Sequence, residues 1–171
     1  MRAFFAFPIK ADFLPLKQKL ATIKTLRVQN EFHLTIFFFK KLHQQDISPL
    51  TDKLFALLAK HSPVVLGKPL LEIKRGVIWI RFEEFGKEFT QLVLQLNRLC
   101  GSFGYTRQKR RFLPHITVAR FKKKLKDEDL KQIATIKSPF SQISLSTIAL
   151  FESVLKPKGA LHFKLWKSRF R

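Results

Sequence analysis

Two histidines stand in the same local setting. The segment FHLTIFF places His33 two residues before Thr35, and PHITVAR places His115 two residues before Thr117. In an extended strand, successive side chains alternate between faces. Each histidine therefore shares a face with its threonine, while Leu34 and Ile36, or Ile116 and Val118, turn the other way. An imidazole with an unperturbed pKa of ~6.5 can take or give a proton near neutrality, and a hydroxyl beside it can donate to an oxygen that is gaining negative charge. Two such pairs around one small volume would suit in-line displacement at a phosphodiester. One ring would remove a proton from the attacking oxygen and the other would protonate the leaving oxygen, while the hydroxyls would hold the non-bridging oxygens.

One such motif alone would read as a strand histidine satisfied by backbone, with threonine present for its β propensity. With five histidines and nine threonines in 171 residues, about 0.3 His-x-Thr matches are expected by chance. Two, in matching apolar strands 82 positions apart, favour a shared chemical role.

The elements that must position these pairs can be read coarsely. MRAFFAFPI reads as a strand ended by Pro8, and ADFLPLKQKLATIKTL as an amphipathic helix. The first histidine strand follows at 32–39, then a helix expected to begin near Ser48 with Pro49 at its first position. SPVVLGKPLLEIK and GVIWIRF read as strands joined through Arg75 and Gly76. From Glu84 the order repeats: a helix to about Gly101, a basic loop YTRQKRR, and the second histidine strand FLPHITVARF. A charged helix at 127–136 and strands FSQISLSTIALFES and ALHFKLW complete the pattern. It predicts an α+β, bilobal, duplicated fold over 1–171, with pseudo-repeats at roughly 1–82 and 83–171. Two antiparallel sheets would face a central cleft, with the helices outside.

Composition narrows the partners. Thirty-three Lys and Arg against twelve Asp and Glu give a formal charge of +21, a field suited to an anionic partner and above all to nucleic acid. A hydrophobic share of 46%, with nineteen phenylalanines, excludes disorder. Cys100 is the only cysteine, so no intrachain disulfide or thiolate zinc cluster can form, and a reducing cytoplasm is expected. The apolar N-terminal stretch is short and interrupted by Pro8 and Lys10, and no run approaches the ~18–20 residues of a membrane span.

The chain resembles the 2H phosphoesterase superfamily, named for two His-x-Thr/Ser-hydrophobic motifs, and within it the RNA 2′,3′-cyclic phosphodiesterase (2′-5′ RNA ligase) family. The likeness runs through MRAFFAF, FHLTIFF, GVIWIRF, RRFLPHITVARF and IALFESVLKPKGALHFKL. It implies a bilobal α+β fold with a basic central cleft. It also implies metal-free hydrolysis of a 2′,3′-cyclic phosphate to a 2′-phosphomonoester, with weak reversible 2′-5′ ligation. By this resemblance His33 and His115 are the catalytic acid and base, Thr35 and Thr117 bind phosphate, and Arg120 contacts phosphate or the RNA backbone. The chain departs from the family pattern at Glu31, where Asn is often found, and at His162, where Tyr is common.

Arg107, Lys109, Arg110 and Arg111 lead into the second motif and are candidate RNA contacts, though a solvated loop would look the same. FKKKLK at 121–126 reads as a solvated face. Trp79 and Tyr105 are candidates to stack on a base, with Trp79 favoured as core. His43, His61 and His162 lack the threonine and are placed outside the site. No phosphate loop, Gly-x-Ser-x-Gly or zinc-type His and Glu spacing is present, so no metal or cofactor is expected. The expected enzyme is a cytoplasmic monomer acting on RNA ends or small cyclic nucleotides. The alternative is a non-enzymatic basic RNA-binding module, which would bind with a steep salt dependence and leave the cyclic phosphate intact.

Overall fold

The computed structural model describes residues 1–106 and 112–170. The elements run β1 (Ala3–Pro8), α1 (Leu14–Ala21), β2 (Leu26–Val28), β3 (His33–Phe39), α2 (Gln44–Leu58), β4 (Val64–Lys74), β5 (Val77–Phe85) and α3 (Lys87–Ser102). They continue with β6 (His115–Phe121), α4 (Asp127–Ala134), β7 (Gln142–Leu145), β8 (Thr147–Lys156) and β9 (Gly159–Arg169). Two antiparallel sheets result, one ordered β3-β1-β8-β9 and the other β2-β6-β5-β4-β7. The α+β architecture with two antiparallel sheets is as expected. Each sheet draws strands from both ends of the chain, so the sheets do not coincide with the sequence halves.

The phenylalanines explain why the sheets hold together. Phe5, Phe7, Phe37 and Phe39 from the first sheet join Phe82, Phe89, Leu92 and Leu96 in one continuous buried core. The first sheet is apolar on its opposite face too, where Phe4, Ala6, Ala149 and Phe151 form a small separate cluster. Rings on both faces of one sheet account for much of the unusual Phe content without exposing it.

Four elements differ from the sequence reading. The helix expected to start near Ser48 begins at Gln44, with Pro49 inside it. Proline removes one backbone donor there. The extra turn is anchored from outside, since the Tyr105 hydroxyl donates to Asp46 and accepts from the His43 backbone N–H at 3.0 Å. Glu84 and Phe85, assigned to the third helix, instead extend β5. The single strand expected over 140–153 is two strands in different sheets, β7 beside β4 and β8 beside β1, separated only at Ser146. Apolar alternation alone does not reveal a change of partner. The short β2 also replaces the end of the predicted first helix. The β4–β5 turn is the tight one expected: Arg75 and Gly76 both have positive φ, 44° and 84°, as a two-residue hairpin with native twist requires.

Candidate active site

The two histidine strands belong to different sheets, β3 to the first and β6 to the second, and they pack against each other at the junction. Each carries an irregularity at the same distance from its histidine. Against β1, the register passes from Phe5 opposite Phe37 to Ala6 opposite Thr35, skipping Ile36. Against β5, it passes from Ile78 opposite Ala119 to Trp79 opposite Thr117, skipping Val118. A bulge of this kind adds one residue to a strand and reverses the facing pattern beyond it. Before the bulge, His115 and Thr117 share a half-buried face while Ile116 and Val118 are buried; after it, Ala119 is buried and Arg120 returns to the exposed side. The sequence candidate Arg120 thus joins the face of His115 and Thr117, which simple alternation would deny it. In β3 the corresponding position is Phe38, covered by the Arg2 guanidinium at 5.1 Å from the ring centroid.

The two imidazoles have unlike surroundings. His33 lies against Phe4, with ring centroids 4.9 Å apart, and Phe151 at 6.2 Å, while His162 meets it edge-on at 5.2 Å. Burial, with the positive charges of His162, Arg120 and His115 adding to it, pushes the His33 pKa down to about 4. Of these three groups, His162 is in direct ring contact with His33. His115 lies tilted against Trp79, with ring centroids 4.3 Å apart, and its Nδ1–H donates to the Leu113 carbonyl at 2.7 Å, which leaves Nε2 as the nitrogen free to exchange protons. Burial lowers the His115 pKa as well, partly opposed by the bond to Leu113. Among the described residues, neither the His33 ring nor the Thr35 and Thr117 hydroxyls have a hydrogen-bonding protein partner.

Trp79 reads as core by its type, yet it forms the cushion under His115 and is itself held in place. Its indole N–H donates to Glu72 Oε2 at 3.1 Å, and Arg81 grips the same carboxylate through Nε at 3.0 Å and an Nη at 2.7 Å. The Arg81 partner and the indole hydrogen bond keep the Glu72 carboxyl below the usual range. Arg81 also sits directly opposite His115 in the β5–β6 register.

His162, placed outside the site by sequence, is the second surprise. It stands beside His33 and packs edge-on against Phe4 at 4.9 Å, and its Nδ1 is buried without a hydrogen-bond partner. Burial lowers its pKa, while the Glu31 carboxylate favours its protonated form and Arg120 opposes it. Its signal in the sequence is weak: it alternates with Lys164 along one face of a strand, and only the sheet order brings that face to His33.

The remaining candidates separate clearly. His61 is occupied by Gln95 at 2.6 Å. Tyr105, a candidate base stacker, packs instead on Phe39 at 5.1 Å and bonds to Asp46. Arg107, Lys109, Arg110 and Arg111 lie outside the described residues. Cys100 is buried, and burial pushes its thiol up to about 12, which leaves it unreactive near neutrality. Among the described residues, no group of three or more His, Cys, Asp or Glu side chains is placed to hold a metal, and no helix is long and apolar enough to cross a membrane.

A groove of about 560 Å³ opens beside His33 and His162. Its lining includes Phe13, Lys17, Asn30, Glu31, Phe32 and Lys164.

The chain is similar to several known proteins in sequence and fold. The family model described as LigT like Phosphoesterase matches residues 80–162. The RNA 2′,3′-cyclic phosphodiesterase of Thermotoga maritima is 25% identical over 147 residues, spanning 83% of this chain and 77% of the relative. TT0787 of Thermus thermophilus shares the fold with a TM-score of 0.76 at 22% identity, covering 100% of this chain and 98% of that one. The apo form of E. coli LigT does so with a TM-score of 0.72 at 18% identity, covering 99% and 96%. A further structure of E. coli LigT is a complex with 3′-AMP.

Proposed function

We propose that this chain, which carries a LigT-like 2H phosphoesterase domain, hydrolyses terminal 2′,3′-cyclic phosphates of RNA to 2′-phosphomonoesters. Water attacks phosphorus from the side opposite the 3′ oxygen. One imidazole takes the water proton as the new P–O bond forms; the other protonates the 3′ oxygen as its bond to phosphorus breaks. Thr35 and Thr117 donate to the non-bridging oxygens, and Arg120 offsets their charge. With the 5′-hydroxyl of a second RNA attacking in place of water, and the 3′ oxygen again leaving, the same groups would support 2′-5′ ligation.

The observation that carries this reading is the meeting of β3 and β6, each bringing one His-x-Thr pair past a matched bulge. The net charge of +21 suits an RNA substrate. The chemistry uses only side chains, so turnover is expected to survive EDTA. Incubation with 2′,3′-cyclic AMP, with and without EDTA, should yield 2′-AMP in both cases. An unchanged substrate would favour the RNA-binding alternative, and loss of activity with EDTA would place a metal in the reaction.

Trp79 and Glu72 are expected to act by positioning His115. Trp79→Ala removes the surface under the ring and should lower kcat about tenfold or more, since small misplacements of a catalytic group are costly. Trp79→Phe should restore much of it while leaving KM near its original value. Equal kcat for Trp79→Ala and the native protein would remove Trp79 from the site.

A further inference from the structure

We propose that the groove beside His33 receives the base attached to the reacting phosphate, and that Glu31 makes this groove selective for guanine. This inference rests on the cyclic phosphodiesterase reading and adds a substrate preference to it.

The groove is continuous with the reacting centre, because His33 and His162 form part of its lining, and its volume of about 560 Å³ is ample for a nucleoside. One wall is preformed: Phe13 and Phe32 are stacked at 3.9 Å, with the Lys17 ammonium 5.9 Å from the Phe32 ring centroid. The segment leading to His33 is fixed by the Ile9 N–H, which donates to the Phe32 carbonyl at 3.0 Å. Glu31 precedes His33 by two residues, roughly 7 Å along an extended chain. A phosphate held at His33 therefore leaves its ribose and base within reach of that carboxylate.

A carboxylate at the mouth of a phosphate site is otherwise hard to justify, because it opposes the approach of an anion. The cations that could neutralise it are plentiful, with thirty-three Lys and Arg against twelve acids. Yet the described ion pairs engage Glu72, Glu83 and Glu84, while Glu31 is in none of them. Its charge is felt instead by His162, on the groove lining.

The chemistry of a carboxylate selects among bases. It offers two parallel acceptors and no donor. On its Watson–Crick edge, guanine presents the N1–H and the exocyclic amine side by side, a matched pair of donors. Adenine and cytosine each present one amine next to an acceptor nitrogen that a carboxylate repels. Uracil presents one N–H between two carbonyls. The neighbouring Asn30 amide can donate to guanine O6, adjacent to N1.

The test compares kcat/KM for the four 2′,3′-cyclic mononucleotides in the native protein and in Glu31→Gln and Glu31→Ala. Bidentate recognition of a base edge should favour the guanosine substrate about tenfold or more. Glutamine presents one acceptor and one donor, which fit a donor–acceptor edge on any of the four bases, so both Glu31→Gln and Glu31→Ala should flatten the preference. Loss of the guanine preference with the rates on the other three substrates retained is something that a merely structural role of Glu31 would not produce. Equal rates on all four substrates, or a guanine preference that survives both substitutions, would overturn the proposal. If none of the four is hydrolysed, the phosphodiesterase reading fails separately. The groove is then judged by calorimetric binding of 2′-GMP against 2′-UMP: tighter 2′-GMP binding that Glu31→Gln abolishes supports it, and equal affinities overturn it.

Discussion

Replacing either His33 or His115 with alanine should lower kcat for a 2′,3′-cyclic phosphate by about 10²- to 10⁴-fold, the usual contribution of one proton transfer. The double variant should be little worse than either single one, because groups that act on one transition state as a unit lose most of their effect when the first is removed. His33 and His115 stand on strands of different sheets, each with a hydroxyl on the same face and with Arg120 nearby. Neither ring supports the main core, so far-ultraviolet circular dichroism of each variant should match the native spectrum. Rates from a purified double variant at the native level would show that these imidazoles do not perform the chemistry.

The second large effect is on pH. In the unfolded chain the His33 ring titrates near 6.5, whereas in the folded protein it does so at about 4, chiefly because burial penalises the charged ring. Between those values the unfolded state binds a proton that the native state refuses, so stability rises with pH across the window. Acidification from about pH 6.5 to about pH 4 should cost about 3 kcal/mol through this group alone. Urea midpoints at the two ends of the window measure the loss, and His33→Gln should remove most of it. A native protein equally stable at both ends would mean that His33 is not held neutral by its surroundings.

The same shifts bear on catalysis. Both His33 and His115 lie below the ordinary histidine range in the free protein. In the proposed mechanism the reactive form holds one proton across the two rings, whichever ring carries it. The kcat/KM profile should therefore be bell-shaped with its maximum between about pH 4 and pH 6.5, falling above as the proton is lost. A maximum above pH 7 would contradict the burial of the two rings.

Much of this site is legible in the linear chain, since its first requirement is local. A His-x-Thr pair in an apolar run places an imidazole and a hydroxyl on one side of a strand whatever the strand packs against, and its recurrence 82 residues later marks both halves of the candidate site. The excess of basic residues likewise points to an anionic partner from composition alone. Phenylalanine-rich alternation gives the strands, and the charge of Asp127 and Asp129 gives the start of α4.

What alternation cannot carry is partnership, because which strand lies beside which is decided by burial across the whole molecule. The break at Ser146 sends one apolar stretch into two sheets. The bulge opposite Trp79 turns Arg120 to the histidine face, and the sheet order sets His162 beside His33. Trp79, apolar by type, is held under His115 by Glu72 and Arg81. Residue types and spacing determined that two imidazoles and two hydroxyls were available. Long-range pairing alone decided that the strands carrying them pack together, how far burial shifts the imidazoles, and which neighbours surround them.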